Sequence, residues 1–256
     1  MCIPRTADWG GFKIGVDNID LKVAGELGIS VNYVPDYCLD EVSDQAMAMI
    51  ISMARKIPQS NKLVQAGRWE MPAVVPIYRL RGKTVGLIGF GNIPRLMAPK
   101  AQAFGFNVIA CDPYAPQEVF DKYGVKSVSM DELYETSDFI SVHAPLLPET
   151  KGLVNMEAFK KMKKTAVIVN TARGPLINEK DLIQALDNNE IGGAGLDVVE
   201  TEPLPADSPL IGRDNVILAP HTAFYSVEAL EELQTKAASD VARVLNGEKP
   251  IYPIKA

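Results

Sequence analysis

The sequence predicts an α/β protein: a doubly wound parallel sheet with a second, smaller and incomplete lobe. Two observations carry most of this. From residue 83 onward, short β-branched runs alternate with amphipathic stretches, the pattern of strands and crossover helices in a sheet covered on both faces. Before residue 41 the chain holds only one strand–helix–strand unit, too little for a domain of its own.

The strands are expected at 84–88, 107–111, 126–128, 139–142, 166–170, 193–197 and 216–218. Helices at 92–104, 130–135, 156–162 and 178–188 serve as crossovers, the last with Leu182, Ile183 and Leu186 at helical spacing. Upstream, 41–57 places Val42, Ala46, Met49, Ile50 and Met53 on one face and is expected to stop at Pro58. The stretch 59–81, with Trp69, Pro72 and Pro76, reads as an irregular arm that packs on a neighbour. A final helix covers 226–245 and is closed by Asn246-Gly247. At the start, a strand at 12–14, a helix near 21–27 and a strand at 30–33 pair with the C-terminal tail. The expected division is therefore 1–36 plus 227–256 for the small lobe and 37–226 for the large one.

Composition narrows the function. A chain of 256 residues that is 47% hydrophobic can bury a full core. Its 26 basic and 32 acidic residues give a net charge of −6 without a long like-charge block, which disfavours nucleic acid and anionic membrane as partners. The longest apolar stretch, near Ala46–Ala54, is too short to span a bilayer, and the first residues lack a signal-peptide pattern. Cys2, Cys38 and Cys111 are widely spaced, which fits the reducing cytoplasm rather than a disulfide or metal framework; no metal site is expected.

The segment VGLIGFGNIPR at 85–95 places Gly89 and Gly91 after an apolar strand and before a helix, the context of a dinucleotide fingerprint. The first glycine permits the tight turn. The second lets the backbone approach a pyrophosphate, met by the positive end of the helix. Pro94 stands where a third glycine is usual, in the first helical turn, where a missing N–H is tolerated. Pro99, deeper in the helix, removes a hydrogen bond. Asp112 lies 23 residues after Gly89, the spacing of a carboxylate that accepts from the adenosine ribose hydroxyls. It repels a 2′-phosphate, and with Pro113 and Tyr114 following, NAD is favoured over NADP. A tight turn with a surface aspartate is the alternative for the glycines alone; strand, helix and Asp112 together favour the Rossmann-type site.

Only His143 and His221 can supply imidazole acid/base chemistry. Both follow strands, and so do Arg173 and Glu202. Arginine suits a carboxylate substrate because its planar fork donates two parallel bonds. Glutamate beside histidine fixes its tautomer and favours the protonated ring. Each residue alone is equally an ordinary turn or loop feature; their convergence on strand ends downstream of an NAD turn favours function.

These residues resemble the D-isomer-specific 2-hydroxyacid dehydrogenases, a group that includes D-lactate and phosphoglycerate dehydrogenases and the C-terminal-binding-protein corepressors. The resemblance runs through GVDNIDL at 15–21, VPDYCLDEVSDQA at 34–46, the glycine turn, HAPLLPET at 143–150, VNTARGPLIN at 169–178, GAGLDVVETEP at 193–203 and PHTAFYS at 220–226. VPDYCLDEVSD is most similar to bacterial relatives of the C-terminal-binding-protein branch. It implies Arg173, Glu202 and His221 as the catalytic set, with Arg173 and His221 also beside the cofactor. It implies further cofactor contacts at Asn92, Ile93, Ala144, Pro145, Thr171, Ala172 and Asp197, and makes His143 a strand-end residue. Ile14, Gly15, Arg173 and Tyr225 would face the substrate, the small lobe would be flavodoxin-like, and the 41–57 helix and arm would build a homodimer. Family members carry more of the substrate lobe ahead of GVDNID, so that lobe is expected to be incomplete. The implied activity is NAD-dependent interconversion of small 2-keto and D-2-hydroxy acids. The alternative is a catalytically weak NAD(H)-binding interaction protein of the C-terminal-binding-protein type.

Overall fold

A computed structural model describes residue 15 and residues 19–254. In chain order they form α1 (Leu21–Glu26), α2 (Leu39–Ala54), α3 (Ile57–Gln65), β1 (Thr84–Ile88), α4 (Asn92–Ala103), β2 (Asn107–Cys111), α5 (Gln117–Tyr123), β3 (Lys126–Ser127), α6 (Met130–Thr136), β4 (Phe139–Val142), α7 (Met156–Lys161), β5 (Val167–Asn170), α8 (Glu179–Asp187), β6 (Gly193–Leu196), β7 (Val216–Leu218) and α9 (Val227–Leu245). Two compact units result. One holds the described residues up to Glu41 with those from Phe224 onward; the other is Val42–Ala223.

The larger unit is built on a parallel sheet of order β3-β2-β1-β4-β5-β6-β7. Alternation along each strand sends side chains to opposite faces. Val85, Leu87, Val167 and Val169 join α2, α4 and α5 on one face, whereas Ile88, Ile140 and Ile168 join α6, α7 and α8 on the other. Two glycines let α2 lie directly on β6: a Cβ at Gly193 would come within 2.5 Å of the Met53 methyl, and one at Gly195 within 3.1 Å of Met49. Because β1 is flanked by β2 and β4, the chain reverses its winding there, and a crevice opens at the carboxyl ends of β1 and β4. Among the described residues no helix is long and apolar enough to cross a membrane.

The predicted strands appear with ends shifted by no more than a residue or so, but four details differ. The 41–57 helix instead spans Leu39–Ala54, and the chain turns at Lys56, which adopts a left-handed conformation with φ 51°. Pro58 then opens α3 rather than beginning an irregular arm, because a proline in the first turn gives up an N–H that has no acceptor there. The crossover α5 carries no readable periodicity since it buries only Phe120. Residues 30–33 form no strand but a single antiparallel bridge, Asn32 with Pro253, and Pro253 has no N–H to extend a ladder. The strand expected at 12–14 lies outside the described residues.

In the smaller unit Asp20 caps α1 by accepting from Val23 N at 3.0 Å. Ser226 caps α9 by accepting from Ala229 N at 2.8 Å while its hydroxyl donates to Glu41 at 2.7 Å. Asp240, buried on α9, accepts from the backbone N–H of Ile251 at 2.6 Å and so pins the C-terminal segment.

At the amino ends of the strands, the buried Asp138 accepts from Thr84 N at 2.9 Å and pairs with Lys83 and Lys163 at 3.1 and 3.2 Å. Burial pushes its pKa up, but the Thr84 amide and the two ammonium groups outweigh this and hold it below the ordinary carboxylate range. A lowered carboxylate pKa stabilises the fold above that range, and the contribution is lost as pH falls through the folded value. Asp138→Ala leaves the Thr84 N–H without its acceptor and should destabilise by about 2 kcal/mol in urea unfolding at neutral pH, with a smaller difference in acid.

Candidate functional site

The crevice is bounded by the glycine turn after β1 and the segment after β4. Gly89 has φ 89°, where an L side chain is strained, and a Cβ there would lie 3.1 Å from the backbone of both His143 and Ala144. His143 N donates to Ile88 O at 2.8 Å, and Gly89 N to Cys111 O at 2.9 Å, so the turn is tied to both neighbouring strands. Gly91 caps α4 without any side-chain bond, and a Cβ placed on it meets nothing within 4 Å. The space before the helix start is open, and Asn92 and Ile93 are its first two residues.

Asp112 carries more than its spacing predicted. Its Oδ2 accepts from Phe90 N at 2.7 Å, and its Oδ1 from Tyr114 N at 2.8 Å and Ala115 N at 3.2 Å. One carboxylate therefore shapes both the glycine turn and the loop after β2. Oδ2 keeps a second lone pair, so a ribose hydroxyl can still donate to it.

Further along the sheet, Thr171 directly follows β5, is buried, and its hydroxyl oxygen has no partner among the described residues. Ala172 and Arg173 continue the loop. Asn170 holds it by donating to Arg173 O at 2.8 Å and accepting from Ala172 N at 3.0 Å, and Arg173 Nη1 donates to Ala172 O at 2.7 Å. Gly174 presses against the next loop: an added Cβ would fall 1.8 Å from Val199 O. That glycine, unremarked in the sequence, sets Arg173 beside the loop that carries Glu202; its position directly after the arginine was the available signal.

Glu202 and His221 meet directly, Oε2 to Nδ1 at 2.7 Å, with 37% and 36% of their side chains exposed. Glu202 Oε1 also accepts from Val199 N at 3.2 Å. His221 sits at φ 55°, a sparsely populated conformation for a residue with a side chain. Asp197 holds it there: its carbonyl accepts from His221 N at 2.8 Å, and its buried carboxylate from Thr222 N at 2.9 Å and Ala223 N at 3.0 Å. Asp197, expected near the cofactor, is thus committed through both oxygens to the histidine loop.

Ala144 is buried and Pro145 exposed at the end of β4. His143 Nε2 lies 2.9 Å from Ser141 Oγ and 3.3 Å from Met97 Sδ, which fastens β4 to α4. Gly15 and Tyr225 belong to the smaller unit, where Tyr225 is exposed and packs edge-on to Phe224 at 6.5 Å. Ile14 lies outside the described residues.

The open cradle at Gly91, the uncapped helix start and the unpaired hydroxyl of Thr171 fit a dinucleotide laid across the carboxyl ends of β1, β4 and β5.

Residues 47–223 match the family model described as D-isomer specific 2-hydroxyacid dehydrogenase, NAD binding domain. The chain is 43% identical over 240 residues to a D-3-phosphoglycerate dehydrogenase of Methanocaldococcus jannaschii, covering 93% of this chain and 45% of that protein. It is 36% identical over 242 residues to a glyoxylate reductase of Korarchaeum cryptofilum, covering 93% and 73%. The crystal structure of D-lactate dehydrogenase with NAD+ from Lactobacillus jensenii superposes with a TM-score of 0.85 at 28% identity, over 96% of this chain and 78% of that one. Thus the chain spans less than half of the phosphoglycerate dehydrogenase and about three quarters of the other two.

Burial pushes the His143 imidazole down from 6.5 to about 4, so the ring is neutral at neutral pH. A lowered histidine pKa means that acid protonates the unfolded chain first, and stability falls as pH drops from 6.5 towards 4. His143→Gln should lose this component: the thermal midpoint of the wild type should fall more steeply over that interval than the variant's. Parallel curves would show that the ring is not held neutral.

Proposed function

The chain belongs to the D-isomer specific 2-hydroxyacid dehydrogenases, with residues 47–223 forming the NAD binding domain, and on that premise we propose that it reduces a small 2-keto acid to the D-2-hydroxy acid and catalyses the reverse oxidation. The observation that carries this reading is the Glu202–His221 pair at 2.7 Å, half-exposed at the carboxyl edge of the sheet. The corepressor-type alternative gains nothing from the relatives above, whose names are those of dehydrogenases and reductases.

NAD(H), when bound, supplies or takes up the hydride. Gly89, Gly91, Asn92 and Ile93 would meet its diphosphate, Asp112 its adenosine ribose, and Ala144, Pro145, Thr171, Ala172 and Asp197 would line the rest. Arg173 would bind the substrate carboxylate through its planar fork and polarise the carbonyl. Glu202 accepts from the protonated Nδ1 of His221, which fixes the ring and leaves Nε2 as the nitrogen that gives a proton to the carbonyl oxygen or takes it back. The substrate contacts assigned to Ile14, Gly15 and Tyr225 rest on the resemblance alone. The free thiol at Cys111 supports the cytoplasm as the compartment.

The test is NADH oxidation with a panel of 2-keto acids. His221→Ala should lower turnover by roughly 10²–10⁴-fold with NADH affinity unchanged. Glu202→Gln should keep the ring in place and lower turnover less. NADH binding without oxidation of any 2-keto acid would sink the dehydrogenase reading.

We further infer a homodimer through the cofactor-binding unit. Trp69, Met71 and Tyr78 of the arm are 88%, 71% and 58% exposed, a run of large apolar side chains that a partner surface would cover. Light scattering should give twice the chain mass, and Trp69→Glu with Met71→Glu should shift it towards monomer. A monodisperse wild-type monomer would refute this.

A further inference from the structure

Arg95 is the fourth residue of α4, one turn in from the glycine turn. In a helix the Cα–Cβ bond leans towards the amino end, so a long side chain covers the turn before its own. Arg95 does so. Its Nε donates to Phe90 O at 2.8 Å, and its guanidinium carbon lies 5.9 Å from the centre of the Phe90 ring. The peptide on the other side of the Phe90 Cα is equally fixed, since Phe90 N donates to Asp112. One guanidinium nitrogen is thus spent on anchoring the side chain at the mouth of the helix. The two terminal nitrogens, each with two N–H donors, have no acceptor among the described residues.

The second observation is Pro94. The first N–H groups of a helix lack intrahelical acceptors and are the donors that a dinucleotide diphosphate meets. As the third residue of α4, Pro94 removes one of them, leaving Asn92 and Ile93, while the space before Gly91 stays open. A site with one backbone donor fewer has a charged, pre-anchored donor one residue further on.

We propose that Arg95 is a cofactor-binding residue whose guanidinium holds the diphosphate of the dinucleotide and replaces the donor missing at Pro94. This rests on the glycine turn being the NAD site, and it adds to that site a residue that motif spacing does not select. Arginine suits the role because its planar fork matches two phosphate oxygens while the guanidinium stays over the Phe90 ring.

The experiment measures dissociation constants of the full chain for NADH, NADPH, ADP and adenosine, by fluorescence and by displacement. The variants are Arg95→Met, which keeps an apolar stem against Phe90, and Arg95→Lys, with thermal midpoints recorded for each. Arg95→Met should weaken NADH and ADP by about tenfold and leave adenosine unchanged, and Arg95→Lys should recover part of the loss. The salt dependence of NADH binding should also become shallower in Arg95→Met. NADH affinity equal to the wild type's would overturn the assignment. So would an equal loss for adenosine, which would mean that Arg95 acts only by shaping the turn at Phe90. A loss confined to NADPH would place the guanidinium at the 2′-position instead and overturn the diphosphate contact. A wild-type chain that binds neither NADH nor ADP would overturn the cofactor site itself, and the Arg95 assignment with it.

Discussion

The larger unit depends on one close approach: the backbone after β1 passes so near the backbone after β4 that a side chain at Gly89 would crowd it, at a φ that L residues rarely adopt. The reversal of strand order opens a crevice at this point, and the glycine conformation keeps its floor bare. Everything that reads as cofactor contact lies along the resulting edge. The hydrogen bonds of Gly89 to β2 and of His143 to β1 make the crevice a property of the sheet rather than of mobile loops. The Ser141–His143–Met97 contact extends that rigidity into α4.

The proposed catalytic edge is organised by a different device. Asp197 gathers three consecutive amides of the His221 loop, and Gly174 lets the arginine loop rest on the backbone that leads to Glu202. A histidine in an uncommon backbone conformation is held by the backbone carbonyl of one buried aspartate, whose carboxylate fixes the two residues that follow. Pre-setting of this kind would let the proposed proton donor face a substrate without rearrangement at the moment of reaction.

Most of the sheet was legible in the sequence because parallel strands buried on both faces read as continuous β-branched runs, as in VIVN of β5. The Glu202–His221 pairing was legible because both residues follow strands that end on the same edge. What escaped was decided by contacts without periodicity. α5 buries a single phenylalanine, and only Pro116 before it and Gly124 after it in a left-handed conformation marked its ends. α3 buries nothing, so a proline that begins it looked like a terminator. The bonds of Asp112 to three amides follow from how two loops meet in space, which spacing along the chain does not encode.

Asp112 also bears on attempts to re-engineer this scaffold for the phosphorylated cofactor. The usual design step exchanges the acidic residue after the second strand for a small or neutral one to admit the extra phosphate. Here that exchange would orphan the amides of Phe90, Tyr114 and Ala115 together and loosen the turn that every dinucleotide needs. A workable library would keep the carboxylate and vary Tyr114, which is 89% exposed and contributes to this network through its backbone alone.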